Sequence, residues 1–197
     1  MATRRNPRFK ECRRLGVNVC GHPKAMKRAD SPAFKKTHKI SEYGRQLIEK
    51  QKVKAYYDIL ERQLRKYYSN AQKKEGKTGE VLITTLECRL DNLVYRMGLA
   101  NSIRMARQLV THRHITLDGK TINYPSTPVR IGQTIALKEK DWKNPQFKKC
   151  FLEMNKSPLP YIERDEASFS AKLVMTPQRK DIPVEINDQL IVEYYSK

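Results

Sequence analysis

Apolar positions recur at three- and four-residue spacing along several stretches of the chain, and each such stretch predicts an amphipathic helix. The longest run is Ile40, Tyr43, Leu47, Ile48, Val53, Tyr56, Tyr57, Leu60, Leu64, Tyr67 and Tyr68. It predicts helix from Ser41 onward, with Lys50 to Lys52 as the place where it would break, and it assigns the tyrosines to a core rather than to a platform for bases. Leu86, Leu90, Leu93, Val94 and Met97 predict one further helix, closed by Gly98, a residue suited to the left-handed position just past a helix end. Ser102 is placed to cap the next, whose apolar stripe is Ile103, Ala106, Leu109 and Val110 and whose other side carries Arg104, Arg107 and Gln108.

The period then shortens. Ile115-Thr116, Asp118-Gly119 and Thr121-Ile122 predict a β-hairpin, because Asp-Gly tolerates the positive φ angles of a tight turn. Pro125, Pro128 and Gly132 punctuate the next stretch, and residues 134–137 read as another strand. Residues 86–137 therefore compose two helices and a small sheet. Beyond them, Asn144-Pro145 supplies a cap and first turn for a helix with Phe147, Cys150, Phe151 and Met154 on one face. Residues 161–163 and 171–175 suggest short extended pieces, and Ile186, Leu190, Ile191 and Tyr194 predict a closing helix. The expected fold class is α+β, mostly helical.

Composition changes the picture through charge. A chain of 197 residues can bury one large or two small cores. Its formal net charge of +19 calls for a polyanionic partner, with nucleic acid as the first candidate. No long apolar run or signal-peptide core stands in the sequence, so no membrane partner is expected and the expected location is the cytoplasm. The charge is uneven: residues 1–40 hold 12 basic and 2 acidic side chains, whereas residues 158–197 hold 5 and 7. With Gly16, Gly21, Pro23 and Pro32 interrupting any helix, residues 1–40 read as an extended basic arm that orders against phosphate through Arg4, Arg5, Arg8, Lys10, Arg13 and Arg14.

Two candidate chemistries fail on spacing. Cys12, Cys20, His22 and His38 include no Cys-x-x-Cys pair, so no metal and no cofactor is expected. Gly76-Lys77-Thr78 imitates a phosphate-binding loop, but the required earlier glycine and preceding strand are missing; Thr78 is read as a helix cap. No Ser/His/Asp or paired-carboxylate constellation stands out, and His112 and His114 read as polar residues at a helix-to-strand junction.

Residues Leu90-Asp91-Asn92, Arg96, 106–110, His112, His114-Ile115, Asp118-Gly119 and Gly132 closely resemble the RNA-binding module of the small-subunit ribosomal protein S4 family. Ser41-Glu42-Tyr43-Gly44, 49–53 with Tyr57, and the closing stretch 186–195 resemble the same family, so the likeness covers nearly the whole chain. The chain departs from it in lacking a Pro-Gly-Gln-His-Gly stretch before the first long helix and the fuller set of N-terminal cysteines.

The resemblance implies a basic arm (1–40), a helical domain (41–85), an inserted RNA-binding module (86–143) and a return to the helical domain (144–197). It places Arg89, Arg104, Arg107, Gln108, His112 and Lys120 on the RNA-facing side. It implies a structural component of the small ribosomal subunit that binds a junction in the 5′ domain of small-subunit ribosomal RNA, nucleates assembly and contributes to translational accuracy. The partners it implies besides RNA are neighbouring small-subunit proteins, especially S5, and the chain's own messenger RNA. The competing readings are a free RNA-binding factor carrying the same module and an RNA-modifying enzyme. Against the enzyme, the module sits centrally and only roughly 60 residues come after it, too few for a catalytic domain.

Overall fold

The computed structural model describes residues 6–29, 40–153 and 159–196, so Arg4, Arg5, His38 and Met154 lie outside the described residues. The chain divides into two compact units, residues 1–83 with 184–197, and residues 84–183.

The first unit is helical. Helix α1 (Arg8–Leu15) buries Cys12 and Leu15 and ends at Gly16, whose φ of 74° is left-handed. This corrects the extended arm expected there: Phe9, Cys12 and Leu15 recur at three-residue spacing, which gives the segment an inner face that its charge had masked. Helix α2 (Glu42–Tyr56) opens with Ser41 Oγ accepting from Gly44 N at 3.2 Å. It is followed by α3 (Glu61–Gln72). The break between them falls at 57–60, later than expected, because Asp58 takes a left-handed φ of 48° and Ile59 N returns to Lys54 O at 3.1 Å.

The closing helix α8 (Asp188–Tyr195) packs on α2 through polar as much as apolar groups. Asn187 N donates to Glu49 Oε2 at 2.9 Å, Gln46 Nε2 to Glu193 at 3.1 Å, and Lys50 Nζ to Tyr194 OH at 3.0 Å. The tyrosines meet here, with Tyr68 and Tyr195 ring centres 4.6 Å apart. Tyr57 and Tyr68 are buried as expected, but Tyr43 is 54% exposed, its ring tilted against that of Tyr194 with centres 5.7 Å apart.

Helix α4 (Thr78–Glu87) carries the chain from one unit into the other. In the second unit α5 (Leu90–Arg96) and α6 (Ile103–Thr111) pack together, Gly98 lies between them at φ 96°, and Ser102 Oγ caps α6 by accepting from Met105 N. The single helix expected over 86–97 is two helices. Arg89 turns extended to bridge Pro128, and Cys88 O accepts from Val129 N at 2.9 Å, which interrupts the helical ladder.

Among the described residues five strands form one antiparallel sheet in the order β2-β1-β3-β5-β4. The members are β1 (Ile115–Leu117), β2 (Lys120–Thr121), β3 (Thr134–Leu137), β4 (Ile162–Asp165) and β5 (Ser170–Leu173). Asp118 and Gly119 both have positive φ, the tight turn that their sequence predicts. The sheet extends beyond the expected hairpin and third strand because β5 pairs with β3, setting Ile135 opposite Ala171. Helix α7 (Pro145–Glu153) adds Phe147 and Phe151 to the same core as Leu93, Val110, Ile115 and Ile135. Residues 144–183 thus belong to the second unit and only 184–197 to the first, whereas the expected boundary gave all of 144–197 to the helical domain.

Candidate nucleic-acid interface

Two carboxylates in the interior of the second unit decide which of its arginines reach solvent. Asp91, fully buried, accepts from Arg89 Nε at 3.0 Å and Nη2 at 2.7 Å, and from Arg107 Nε at 3.2 Å and Nη2 at 2.9 Å. Its Oδ1 also accepts from Asn92 N at 2.9 Å. Glu87, also fully buried, accepts from Arg96 Nε at 2.6 Å and from Tyr161 OH at 2.9 Å. Burial first, and the Glu87 charge second, push the Tyr161 hydroxyl well above the usual phenol range, so it stays a donor.

The placement of the six expected RNA-facing residues of this unit depends on that network. Gln108, His112 and Lys120 are exposed, and Arg104 is half-buried. Arg107 is turned toward Asp91 with 12% of its side chain exposed. Arg89 is a correction: at 2% exposure it lies inside, because the extended backbone at 89 lets its guanidinium grip Asp91 side-on rather than project outward. Its charge is balanced in the interior, so it supplies no charge to a surface.

The outward cations lie mostly at turns and at the ends of elements. Arg113 and Lys120 stand exposed around β1 beside the imidazole of His112, and Arg130, Lys140, Lys143 and Lys148 are exposed further along. Arg113 is the residue that sequence reasoning passes over. It lies in the basic run His112-Arg113-His114, the one signal that marks it, and it has a left-handed φ of 64°. Its neighbour His114 is held by Asp141, with Nδ1 and Oδ2 2.8 Å apart, and its ring packs on Phe147. Asp118 is exposed, and its carboxyl sits below the usual range because Thr134 N and then the Gln133 side chain donate to it.

In the first unit α1 presents Arg8, Lys10 and Arg14 to solvent, while Arg13 is half-buried. Cys12 and Cys20 Sγ lie 3.5 Å apart, and burial, followed by that contact, pushes the Cys12 thiol up to about 11. His22 Nδ1 accepts from Lys24 N at 3.1 Å. Among the described residues no three Cys, His, Asp or Glu converge on one point.

The geometry is that of a scaffold with dispersed cations, suited to phosphate contacts rather than to a single pocket. Comparison with known families agrees. Residues 3–87 match the model described as ribosomal protein S4/S9 N-terminal domain, and residues 88–135 match the S4 domain. Small ribosomal subunit protein uS4 of Finegoldia magna is 48% identical over the whole of both chains. The corresponding proteins named uS4B of Clostridium acetobutylicum and uS4 of Parabacteroides distasonis are each 44% identical, again over both full lengths.

Proposed function

The chain belongs to the ribosomal protein S4 family, and from that premise we propose how it works: it is a structural, ribosomal-RNA-binding component of the small ribosomal subunit that grips RNA through solvent-facing cations on two units. The role is structural and not enzymatic, and its place is the cytoplasmic ribosome. The observation that carries this is the end-to-end likeness, 48% identity without truncation of either chain, to a small-subunit protein.

The finer assignments rest on the family resemblance. The RNA partner is a junction in the 5′ domain of small-subunit ribosomal RNA, and binding there nucleates assembly. A neighbouring contact with S5 bears on translational accuracy, for which the acidic end, 5 basic against 7 acidic side chains over 158–197, offers a surface that RNA would not compete for. Binding to the chain's own messenger RNA would reuse the same cations. On the first unit these are Arg8, Lys10 and Arg14, with Arg4 and Arg5 of the same basic run outside the described residues. On the second they are Lys120 and Arg104, with the exposed polar side chains of Gln108 and His112 beside them.

Sedimentation of small subunits through high salt tests the reading. An integral component stays with the particle at one copy per subunit, whereas loss of the chain on a salt wash would make it a transient factor instead.

A further inference from the structure

We propose that Arg113 is a phosphate-binding residue of the RNA interface, presented by a left-handed turn between α6 and β1; this rests on the RNA-binding role given above. The first support is conformational. Among the described residues four non-glycine positions have positive φ: Asp58, Arg113, Asp118 and Phe169. The two aspartates belong to a type that tolerates this region, and Phe169 gains ring contacts with Trp142 and Phe151, at 5.6 and 5.5 Å. The left-handed backbone at Arg113 belongs to the turn that closes α6, and what stands out is the residue type, since glycine or asparagine fills that position most readily. The arginine side chain is exposed and makes no hydrogen bond or ion pair with another described residue.

The second support is rigidity. The turn is tied on both sides: His112 N returns to Gln108 O at 2.8 Å, Arg113 N to Val110 O at 2.9 Å and His114 N to Leu109 O at 3.0 Å. Lys138 N, at the end of β3, then donates to His114 O at 3.0 Å, and the His114 ring is pinned by Asp141. The root of the arginine is therefore fixed while its guanidinium is left to solvent, which lowers the ordering cost of seating a phosphate. A planar cation with five donors, set on a fixed turn and with no side-chain partner among the described residues, fits bidentate contact with phosphate oxygens.

Arg113→Gly separates a contact from a structural role, because it relieves the backbone and removes the guanidinium together. The full-length variant should melt about 1–4 °C higher, as the left-handed conformation becomes easy and part of the gain is spent on unfolded-state freedom. Its affinity for in vitro transcribed small-subunit ribosomal RNA should fall about 3- to 10-fold, and the slope of log affinity against log salt should flatten by about one. Arg113→Lys should restore the slope but recover only part of the affinity, since an ammonium does not fork onto two oxygens. Wild-type affinity and slope in Arg113→Gly would overturn the proposal, as would a lower melting temperature, which would make the residue structural. Wild-type protein that binds this RNA without salt dependence would overturn the broader reading instead.

Discussion

Two helices carry arginines, three on α1 and two on α6, and the structure uses them in opposite ways. On α1 Arg8 and Arg14 face water over a small apolar inner face of Cys12 and Leu15. On α6 the helix is pinned by Ile103, Ala106, Leu109 and Val110, and Arg107 is drawn back to a buried carboxylate that it shares with Arg89. The difference lies in what stands beneath each helix. Asp91 and Glu87 are 0% exposed and hold Arg89, Arg96 and Arg107 around them, so three of the second unit's positive charges serve its interior. A count of basic residues therefore overstates the charge that this unit offers to RNA.

The comparison is broken most sharply at Arg89. Arg89→Ala leaves Asp91 buried beside a single, partly exposed partner, and should cost about 3–5 kcal/mol of the second unit's stability in urea denaturation. A near-neutral change would mean that the pair is not an interior one. Arg107→Ala should cost less, about 1.5–3 kcal/mol, because Arg89 still holds the carboxylate and only one charged hydrogen-bonded partner is lost. The expected order, Arg89 well above Arg107, is the reverse of what an RNA-facing Arg89 would give.

The next effect concerns pH and the first unit. Burial works to raise the Glu61 carboxyl, but bonds from Lys54, Tyr195 and Lys50 outweigh it and hold the group below its ordinary value of 4.5. A depressed acid stabilises the fold fully above 4.5 and loses that contribution as the pH falls through its lower folded value. Glu61→Gln should therefore flatten the acid limb of the first unit's melting curve below about pH 4.5 and leave its neutral-to-alkaline limb parallel to wild type. Solvent at this partly exposed side chain keeps the effect modest. The smallest change in stability belongs to the triple variant of Arg8, Lys10 and Arg14 to Ala, within about 0.5 kcal/mol. The same variant should flatten the salt dependence of RNA binding by roughly 2–3 units of slope.

Much of this architecture was legible because it is local. Asp118-Gly119, the Ser102 cap with its stripe, β3 at Thr134–Leu137 and the closing helix each arise from neighbours a few residues apart. What sequence could not show depended on distant partners. The β3–β5 pairing joins residues 36 positions apart at Ile135 and Ala171, and nothing in either stretch names the other. Arg89 reads as one more surface cation until the extended backbone at that residue, set by pairing with Pro128, brings its guanidinium onto Asp91. In α1 the helix was hidden differently, by an inner face only three residues wide among many charges.

Arginine footprinting with phenylglyoxal, read peptide by peptide by mass spectrometry on the free chain and on intact small subunits, tests the division between interior and RNA-facing cations most directly. In the free chain Arg8 and Arg113 should react readily and Arg89 should not, and within the subunit Arg8 and Arg113 should become protected. Reaction of Arg89 as fast as Arg113 in the free chain, or undiminished reaction of Arg8 and Arg113 in the subunit, would contradict that division.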